Sequence, residues 1–426
     1  MYFYFPVKNM DMPENLTPLT IIPTVDTARF YYVYALSMRC KKPLVLIGPP
    51  GIGKSKVIWC KIKSNTDVAA FKYTALPNSS PKELKTWLIG KLAKKDKGVY
   101  GPETATGNIF IDDLTSPHPD SFGHVALHEQ IIELIDSSSW YDVGVNNAKC
   151  RLEDVYLTFA ATLEFGVHSV LSDRLLSRIN FCLMAHPSEE SFVKIFSTNL
   201  ALRFKEQNYP PEVSGVIPSV IQSTFKVYTE CKRVLLEDPV VQGRSHVPDL
   251  RDVQRVIHGC SAVPREAAEN KKLFTRLWVH EALRNFYDRL ILPKEMDAVY
   301  LSMRDCVKSI FRENFDSAFE HLGKVDGQVT QLNLRNLLFG QYLPNEAKKN
   351  TSPLMEITTF DQVEKAVAAK VKDHNDKKGF DEIHIVPIRY SLEIVSHVNR
   401  IISTENGHGV IGGNGGEGRT TLSRIR

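Results

Sequence analysis

One short segment constrains the fold of this chain more than any other: residues 41–62, KKPLVLIGPPGIGKSKVIWCKI. The apolar run at residues 44–47 is typical of a strand that is buried on both faces. It leads directly into residues 48–55, which fit the pattern G-x-x-x-x-G-K-[ST]. A buried strand, a glycine-rich turn and a following helix form a phosphate-binding loop. The segment therefore predicts an α/β fold whose parallel sheet is flanked by helices.

The loop residues have predicted roles in holding phosphate. Glycines let the backbone curl so that N–H groups point at phosphate oxygens, and the following helix adds the positive end of its dipole. We expect Lys54 to reach the β- and γ-phosphates and the Ser55 hydroxyl to ligate Mg²⁺. The residues predicted to contact the nucleotide are Gly48, Pro49, Pro50, Gly51, Ile52, Gly53, Lys54 and Ser55.

A second segment, GNIFIDDLTSP at residues 107–117, supplies the acids that such a loop needs. Its apolar residues predict a short buried strand that ends in Asp112 and Asp113. We expect Asp112 to hold the Mg²⁺ shell and Asp113 to orient the attacking water; the alternative is a turn that caps a helix. Many ATPases have glutamate at the second position, and aspartate is shorter by about 1.5 Å. Hydrolysis therefore depends on whether Asp113 reaches its water.

Composition excludes several other classes of protein. The 426 residues allow roughly two to four domains, and the net charge of +4 is too balanced to indicate binding to nucleic acid or to an anionic membrane. The seven cysteines are scattered and form no CxxC pair, which favours reduced thiols over disulfides or zinc. No apolar run approaches the roughly 18 residues that span a bilayer, and the N-terminus does not read as a signal peptide.

Helical patterns appear at several later positions. The basic run KLAKKDKG, at residues 91–98, is read as the solvated end of a helix within residues 79–102, and residues 304–323 as one amphipathic helix. Asp249 is expected to cap a helix that follows it. A stripe of Trp278, Ala282, Phe286 and Leu290 recurs every four residues and predicts a buried helix face, where His280 and Glu281 are read as structural.

Five longer stretches are also particular in sequence: IIPTVDTARF (21–30), GVYGPETATGNIFIDDLTSP (98–117), LIDSSSWYD (134–142), DLRDVQRVIHG (249–259) and LFTRLWVHEALRNFYDRLI (273–291). Together with the loop, they resemble the third AAA+ module of an axonemal dynein heavy chain, from about residue 18 to residue 426. The resemblance implies a P-loop AAA+ module, a small α-helical lid and a helical connection into a truncated next module. The implied domains are a lead-in at 1–17, a large α/β subdomain at 18–186, a small helical subdomain at 187–295, a connection at 296–380 and the start of the next module at 381–426.

The resemblance also implies roles for residues outside the loop. Ile22, Pro23 and Thr24 belong to an entry segment that lies near the adenine in the family. Arg251 takes the place of an arginine that reaches back to the phosphates, although a surface arginine is the alternative. Arg174 and Arg178 share a face if residues 170–181 form a helix. They are either a solvated pair or arginines aimed at the γ-phosphate of a neighbouring module. Thr162, at the end of the strand predicted at 153–162, is either a γ-phosphate contact or an ordinary strand-end hydroxyl.

The end of the chain, GGNGGEGRTTLSRIR at residues 412–426, resembles the phosphate loop of the fourth dynein module. Gly413, Gly418, Arg419 and Thr420 are the nucleotide contacts implied there. Arginine replaces the usual lysine, and its planar fork suits binding better than turnover. Because no carboxylate strand follows, we expect a fragment or a truncated gene model, with residues 380–426 poorly packed.

These patterns predict an ATP-binding regulatory AAA+ module, with or without hydrolysis, of a minus-end-directed microtubule motor of cilia and flagella. The expected cofactors are ATP or ADP and Mg²⁺, and the expected location is the cytoplasm and the axonemal cytoskeleton. Expected partners are the neighbouring AAA+ modules of the heavy chain. Microtubules and the light and intermediate chains would be reached only through other parts of that chain. The alternatives are a remodelling ATPase of another AAA+ family and a nucleotide-binding scaffold without turnover.

Overall fold

The structure, a computed structural model, describes residues 20–424 with the exception of 143–147, 163–170, 207, 210–214, 238–246, 263–269, 326, 341–353, 358–359, 378–381 and 403–406. The predicted lead-in at residues 1–17 lies outside the described residues. The chain forms two compact units, Met1–Leu202 and Arg203–Arg426.

The first unit is built on a parallel sheet. Its strands, together with those of a smaller sheet, are β1 Leu44–Gly48, β2 Val68–Thr74, β3 Ala93–Asp96, β4 Val99–Gly101, β5 Thr106–Asp112, β6 Ser139–Asp142, β7 Ala148–Leu152, β8 Val155–Thr162 and β9 Asn180–Leu183. The parallel sheet has five strands in the order β2-β5-β8-β1-β9. The predicted α/β fold class is confirmed.

Helices cover both faces of this sheet. They are α1 Val25–Arg39, α2 Lys54–Lys63, α3 Pro81–Lys91, α4 Ala126–Ser137 and α5 Asp173–Leu176. The next helix, α6 Glu189–Glu206, begins in the first unit and ends in the second. Leu44 and Leu46 of β1 pack in one core cluster with residues of α1 and α2, whereas Val45 and Ile47 pack in a second cluster with residues of α3 and α4. Side chains of a strand alternate between faces, so both faces of β1 are buried, as the apolar run predicts.

The smaller sheet corrects one prediction from the sequence. It has the strand order β3-β4-β7-β6, and the basic run read as a helix end forms β3 instead. Helix α3 ends at Lys91, and β3 then pairs antiparallel with β4, where Ala93 lies opposite Gly101. The turn between them contains Gly98 at a φ of 75°, a conformation that glycine adopts readily. The charged residues of this run are exposed, as predicted. The sequence did not indicate that they would pair with β4.

The second unit is mainly helical. Its elements are α7 Ile217–Glu237, α8 Leu250–Ser261, α9 Lys271–Ala282, α10 Pro293–Ser309, α11 Phe315–Ala318, α12 Gln331–Leu334, β10 Leu338–Gly340, β11 Met355–Ile357, α13 Phe360–Asn375, α14 Arg389–Ile402 and α15 Arg419–Arg424. Asp249 caps α8, as predicted, in a reciprocal capping box with Asp252. Among the described residues, no helix is both long and apolar enough to cross a bilayer. The seven cysteines are free.

A π-helical segment, Leu283–Tyr287, continues α9. The Asp288 N–H donates to the Leu283 carbonyl at 2.9 Å, which is the five-residue spacing of a π-turn. The members of the apolar stripe, Trp278, Ala282, Phe286 and Leu290, are all buried, as predicted.

The single amphipathic helix predicted at residues 304–323 is wrong. Helix α10 ends at Ser309, Arg312 takes a left-handed φ of 55°, and Asn314 then caps the short helix α11. A left-handed residue cannot continue a right-handed helix, so the chain turns there. Val307, Phe311 and Phe315 are buried, but they reach the core from two helices and the turn between them.

The expectation of a poorly packed tail is also wrong in part. Ile383, Leu392, Val395 and Leu422 are buried in one cluster with Leu338, Val363 and Val367. In contrast, the glycine-rich stretch at residues 408–419 is exposed. The helices of the tail therefore share a core, to which the described glycine-rich residues 408–419 do not contribute.

Candidate functional site

The loop between β1 and α2 has a backbone that favours glycine at three positions. Gly51 and Gly53 have φ values of 71° and 93°, in the left-handed region, and Gly53 is the N-cap of α2. At Gly48 the constraint is contact: a Cβ there would lie 2.3 Å from the Met184 carbonyl oxygen and 2.8 Å from Cδ1 of Ile52. The chain that leaves β9 therefore presses directly against the base of the loop.

Lys54 is buried within this loop. Its Nζ donates to the carbonyl oxygens of Gly48, at 2.8 Å, and of Pro49, at 2.6 Å. Its side chain is thus folded back onto the loop that precedes it. The ammonium is already located where the curled backbone meets α2, which is the position that the phosphate-binding pattern requires.

Ser55 and Asp112 come together from opposite ends of the motif. The Ser55 hydroxyl donates to Oδ1 of Asp112 at 2.6 Å, although the two residues are 57 apart in sequence. Mg²⁺ prefers oxygen ligands in an octahedron with bonds of about 2.0–2.1 Å, so adjacent ligands lie roughly 2.9 Å apart. The two oxygens have that chemistry and nearly that spacing, and these residues therefore fit a magnesium ion. Their role as ligands remains a prediction.

Asp113 begins the turn that follows β5. It has a left-handed φ of 56°, and its N–H donates to Oδ1 of Asp112 at 3.1 Å. The next residue, Leu114, is fixed by His128 of α4, whose Nε2 donates to the Leu114 carbonyl at 2.8 Å. Burial lowers the pKa of His128, although the hydrogen bond to Leu114 and nearby Glu129 partly offset this. A neutral His128 therefore supports the turn that carries Asp113.

Thr162 lies at the same edge of the sheet. It is opposite Gly48 in the parallel register of β1 and β8, and its N–H donates to the Thr115 hydroxyl at 3.3 Å. The end of β8 is thereby tied to the turn after Asp113. Both interpretations of Thr162, as a γ-phosphate contact and as a strand-end hydroxyl, remain open.

Ile22, Pro23 and Thr24 are buried at the start of α1. Thr24 caps the helix, and its side chain and that of Thr27 form a capping box. Ile21 packs against the core cluster that includes residues of α2, so the entry segment lies on the same face of the sheet as the helix after the loop. That location is compatible with the predicted place beside the adenine.

The shared helical face predicted for Arg174 and Arg178 is not formed, because α5 ends at Leu176. Arg174 instead pairs with Glu129, and the Nε of Arg178 lies 2.8 Å from Oδ2 of Asp136. Both carboxylates belong to α4.

Arg178 lies two residues before β9, whose first residue, Asn180, is opposite Leu44 at the amino end of β1. The strand steps from Leu44 to Gly48 span roughly 13 Å. Arg178 is therefore not placed to serve the phosphates of its own loop.

The remaining predicted contacts lie in the second unit. Arg251 is in the first turn of α8, where its side chain is 68% exposed and its Nε lies 3.4 Å from Oδ2 of Asp249. Its predicted reach to the phosphates remains a prediction.

The second glycine loop differs from the first in structure. Residues 407–418 contain no strand, and α15, which carries Arg419 and Thr420, has six residues. Gly418 is left-handed, with a φ of 75°. The Glu417 carboxylate accepts the Asn414 N–H at 2.9 Å, and a Cβ on Gly413 would lie 2.4 Å from that carboxylate. The Glu417 carboxylate thus stabilises the turn of this loop.

One residue of the first site was not predicted from the sequence. Lys72, on β2, places its Nζ 2.9 Å from Oδ2 of Asp112. A single lysine in the strand VAAFKYT carries no motif, and only the pairing of β2 with β5 brings it to the acid. No local signal would have identified it.

Comparison with known proteins is consistent with this geometry. Residues 12–187 match a family model described as the P-loop containing dynein motor region. The chain is 30% identical over 426 aligned residues to dynein axonemal heavy chain 12 of Mus musculus and 31% identical to that of Homo sapiens. It is 28% identical over 422 residues to dynein axonemal heavy chain 2 of Mus musculus.

These alignments cover 98% of the chain, which spans 14% of the length of the first two relatives and 9% of the third. The predicted resemblance is thereby confirmed, and the alternative of another AAA+ family is not supported. The chain therefore contains, at residues 12–187, the P-loop AAA+ region of a dynein motor, and it is similar to axonemal dynein heavy chains over nearly its whole length.

Proposed function

We propose that the first unit binds ATP or ADP together with Mg²⁺, and that it is the third, regulatory AAA+ module of an axonemal dynein heavy chain. The observation that carries this proposal is the hydrogen bond of 2.6 Å between Ser55 and Asp112. It joins the helix after the glycine loop to the strand that supplies the acids. A hydroxyl and a carboxylate at this spacing, behind a loop that excludes a Cβ at Gly48, form a magnesium–phosphate site.

In this mechanism the backbone N–H groups of residues 48–55 hold the phosphates, and Lys54 exchanges its two carbonyl acceptors for phosphate oxygens. Ser55 and Asp112 would hold a magnesium ion, which would neutralise phosphate charge when bound. Asp113 orients the attacking water and accepts its proton. The turn supported by His128 fixes where Asp113 begins.

Communication with other modules is assigned to the arginines. Arg174 or Arg178 would serve the γ-phosphate of a neighbouring module, after release from Glu129 or Asp136. Arg251 would report nucleotide to the helical lid. Microtubules, light chains and intermediate chains would be reached through other parts of the heavy chain, in the axoneme of a cilium or flagellum.

A second candidate is a module that binds nucleotide without turnover. Asp113 favours it, because this residue is one methylene shorter than the usual glutamate, by about 1.5 Å. Its left-handed φ of 56° also fixes the direction in which the side chain leaves the turn. A water held at the glutamate distance would lie beyond the reach of Asp113.

The test is to measure ATP binding and phosphate release by the full chain and by Lys54→Ala and Asp113→Glu. We expect Lys54→Ala to weaken ATP binding by roughly tenfold or more, since a charge-assisted contact to phosphate is lost. Lys91→Met, at the exposed end of α3, is the control and should bind like the wild type. Absence of binding at millimolar ATP would refute the proposal. Turnover that appears only in Asp113→Glu would favour the second candidate.

A further inference from the structure

The carboxylate of Asp112 has a complete set of partners even without a metal ion. Oδ1 accepts from the Ser55 hydroxyl at 2.6 Å and from the Asp113 N–H at 3.1 Å, while Oδ2 lies 2.9 Å from Nζ of Lys72. The Asp112 side chain is only 6% exposed. A buried carboxylate is costly without a compensating cation, and Lys72 is the cation that this structure provides.

The sheet register determines why Lys72 reaches this acid. Strands β2 and β5 run parallel, with Lys72 opposite Phe110 and Thr74 opposite Asp112. These two pairs lie on the same face of the sheet, so the Lys72 side chain extends from the level of Phe110 to the level of Asp112. Its Nζ lies 5.5 Å from the centre of the Phe110 ring. The side chain is 36% exposed, so the ammonium has a route to solvent. The ammonium can therefore pair with Asp112 and can also move into solvent.

The same position creates a conflict when Mg²⁺ binds. Ser55 faces Oδ1 of Asp112 and Lys72 faces Oδ2, so a metal ion held by Ser55 and Asp112 would share the carboxylate with the ammonium. The ion and the ammonium are like charges that repel each other. This repulsion would reduce the affinity for the metal-loaded nucleotide, although lysine has a flexible stem and can lessen it by rotating away.

We infer that Lys72 is a positioning residue that neutralises Asp112 from the Oδ2 side when no metal ion is bound, and that it thereby sets how strongly nucleotide binding depends on Mg²⁺. The inference rests on the proposed function, because it concerns the same site. With Lys72 present, the metal-free site is stabilised and the metal-loaded site is penalised. Without its charge, both effects reverse.

The experiment measures the dissociation constant of ATP in excess Mg²⁺ and in EDTA, using the full chain. In Lys72→Met, which keeps the stem and removes the charge, we expect the ratio of the EDTA constant to the Mg²⁺ constant to rise by roughly three- to tenfold. The melting temperature without nucleotide or metal should fall, because Asp112 then lacks its cation. Lys91→Met, an exposed lysine far along α3, should leave both quantities unchanged.

Lys72→Arg retains the charge and serves as the second variant, which also covers a failure of Lys72→Met to fold. Its ratio should stay within about twofold of wild type. An unchanged ratio in folded Lys72→Met, or a raised ratio in Lys72→Arg, would overturn the inference while leaving the proposed function intact. If the wild type binds no ATP under either condition, the proposed function fails, and the inference fails with it.

Discussion

The guanidinium of Arg400 lies 2.8 Å from Oε1 of Glu281, and this ion pair joins two helices whose paired residues are 119 apart in sequence. Glu281 is on α9 and Arg400 is on α14, the helix predicted to open the next module. The side chains are only 7% and 15% exposed. Gly259 of α8 makes the room, since a Cβ there would lie 2.1 Å from Oε2 of Glu281. The pair therefore forms a buried polar junction within the second unit.

We expect Glu281→Gln to destabilise the second unit by about 3 kcal/mol, because it leaves a buried guanidinium without its counter-charge. Burial alone would raise the pKa of Glu281, but Arg400 and then His280 lower it to about 2, so the wild-type residue is charged at neutral pH. The measurement is the free energy of unfolding from urea denaturation. Glu230→Gln breaks an exposed pair with Arg233 and is the matched control, with an expected loss below about 1 kcal/mol.

A double-mutant cycle tests whether the pair itself is responsible. The double variant Glu281→Gln with Arg400→Met removes both charges and should be more stable than Glu281→Gln alone, by about 1 kcal/mol or more. Strictly additive losses would show that the two residues stabilise the unit independently of each other.

His397 makes the same junction sensitive to acid. Its Nε2 accepts from Nη1 of Arg284 at 2.6 Å. Burial, and then the charges of Arg284, His280 and Arg335, lower its pKa to about 3 from an ordinary 6.5.

The unfolded chain therefore binds a proton that the folded chain does not, between those two values. Stability from this group is present in full above pH 6.5 and falls as the pH approaches 3, by up to about 1.4 kcal/mol per unit. His397→Gln retains an acceptor without titrating and should flatten the slope of unfolding free energy against pH. Equal slopes in both proteins between pH 6 and about pH 4 would contradict this assignment.

Ser55 and Asp112 show best which features of the site could be predicted from the sequence. Each belongs to a short motif with fixed spacing, and the parallel order of strands brings motif ends to one edge of the sheet. The strand before the loop, the acid strand and the Asp249 cap were accessible because local chemistry dictates them. The Leu44–Gly48 strand could be read directly from its apolar run.

Lys72 and the strand β3 show why the rest was not accessible. The position of each depends on pairing with another strand. Nothing in the local sequence around Lys72 or in β3 indicates which strand that is. The same holds for Arg178, whose neighbour Asp136 is 42 residues away. Periodicity reports which face of an element is buried, but it does not report which polar groups meet across elements.

Two glycines of the loop at residues 48–55 are required for different reasons: steric contact at Gly48 and backbone conformation at Gly53. At Gly48 a Cβ would meet the Met184 carbonyl at 2.3 Å, whereas at Gly53 it would meet nothing within 4 Å but would occupy a φ of 93°. Gly48→Ala should therefore cost about 2–3 kcal/mol through overpacking, and Gly53→Ala about 1 kcal/mol through backbone strain. Gly90→Ala, in α3 with open space and no positive φ, is the control and should be neutral or stabilising by about 0.5 kcal/mol. Hydrogen exchange resolved for the first unit measures all three. If Gly48→Ala were no more destabilising than Gly90→Ala, the Met184 carbonyl would not constrain the loop, and the close passage of the chain after β9 would have no role in shaping it.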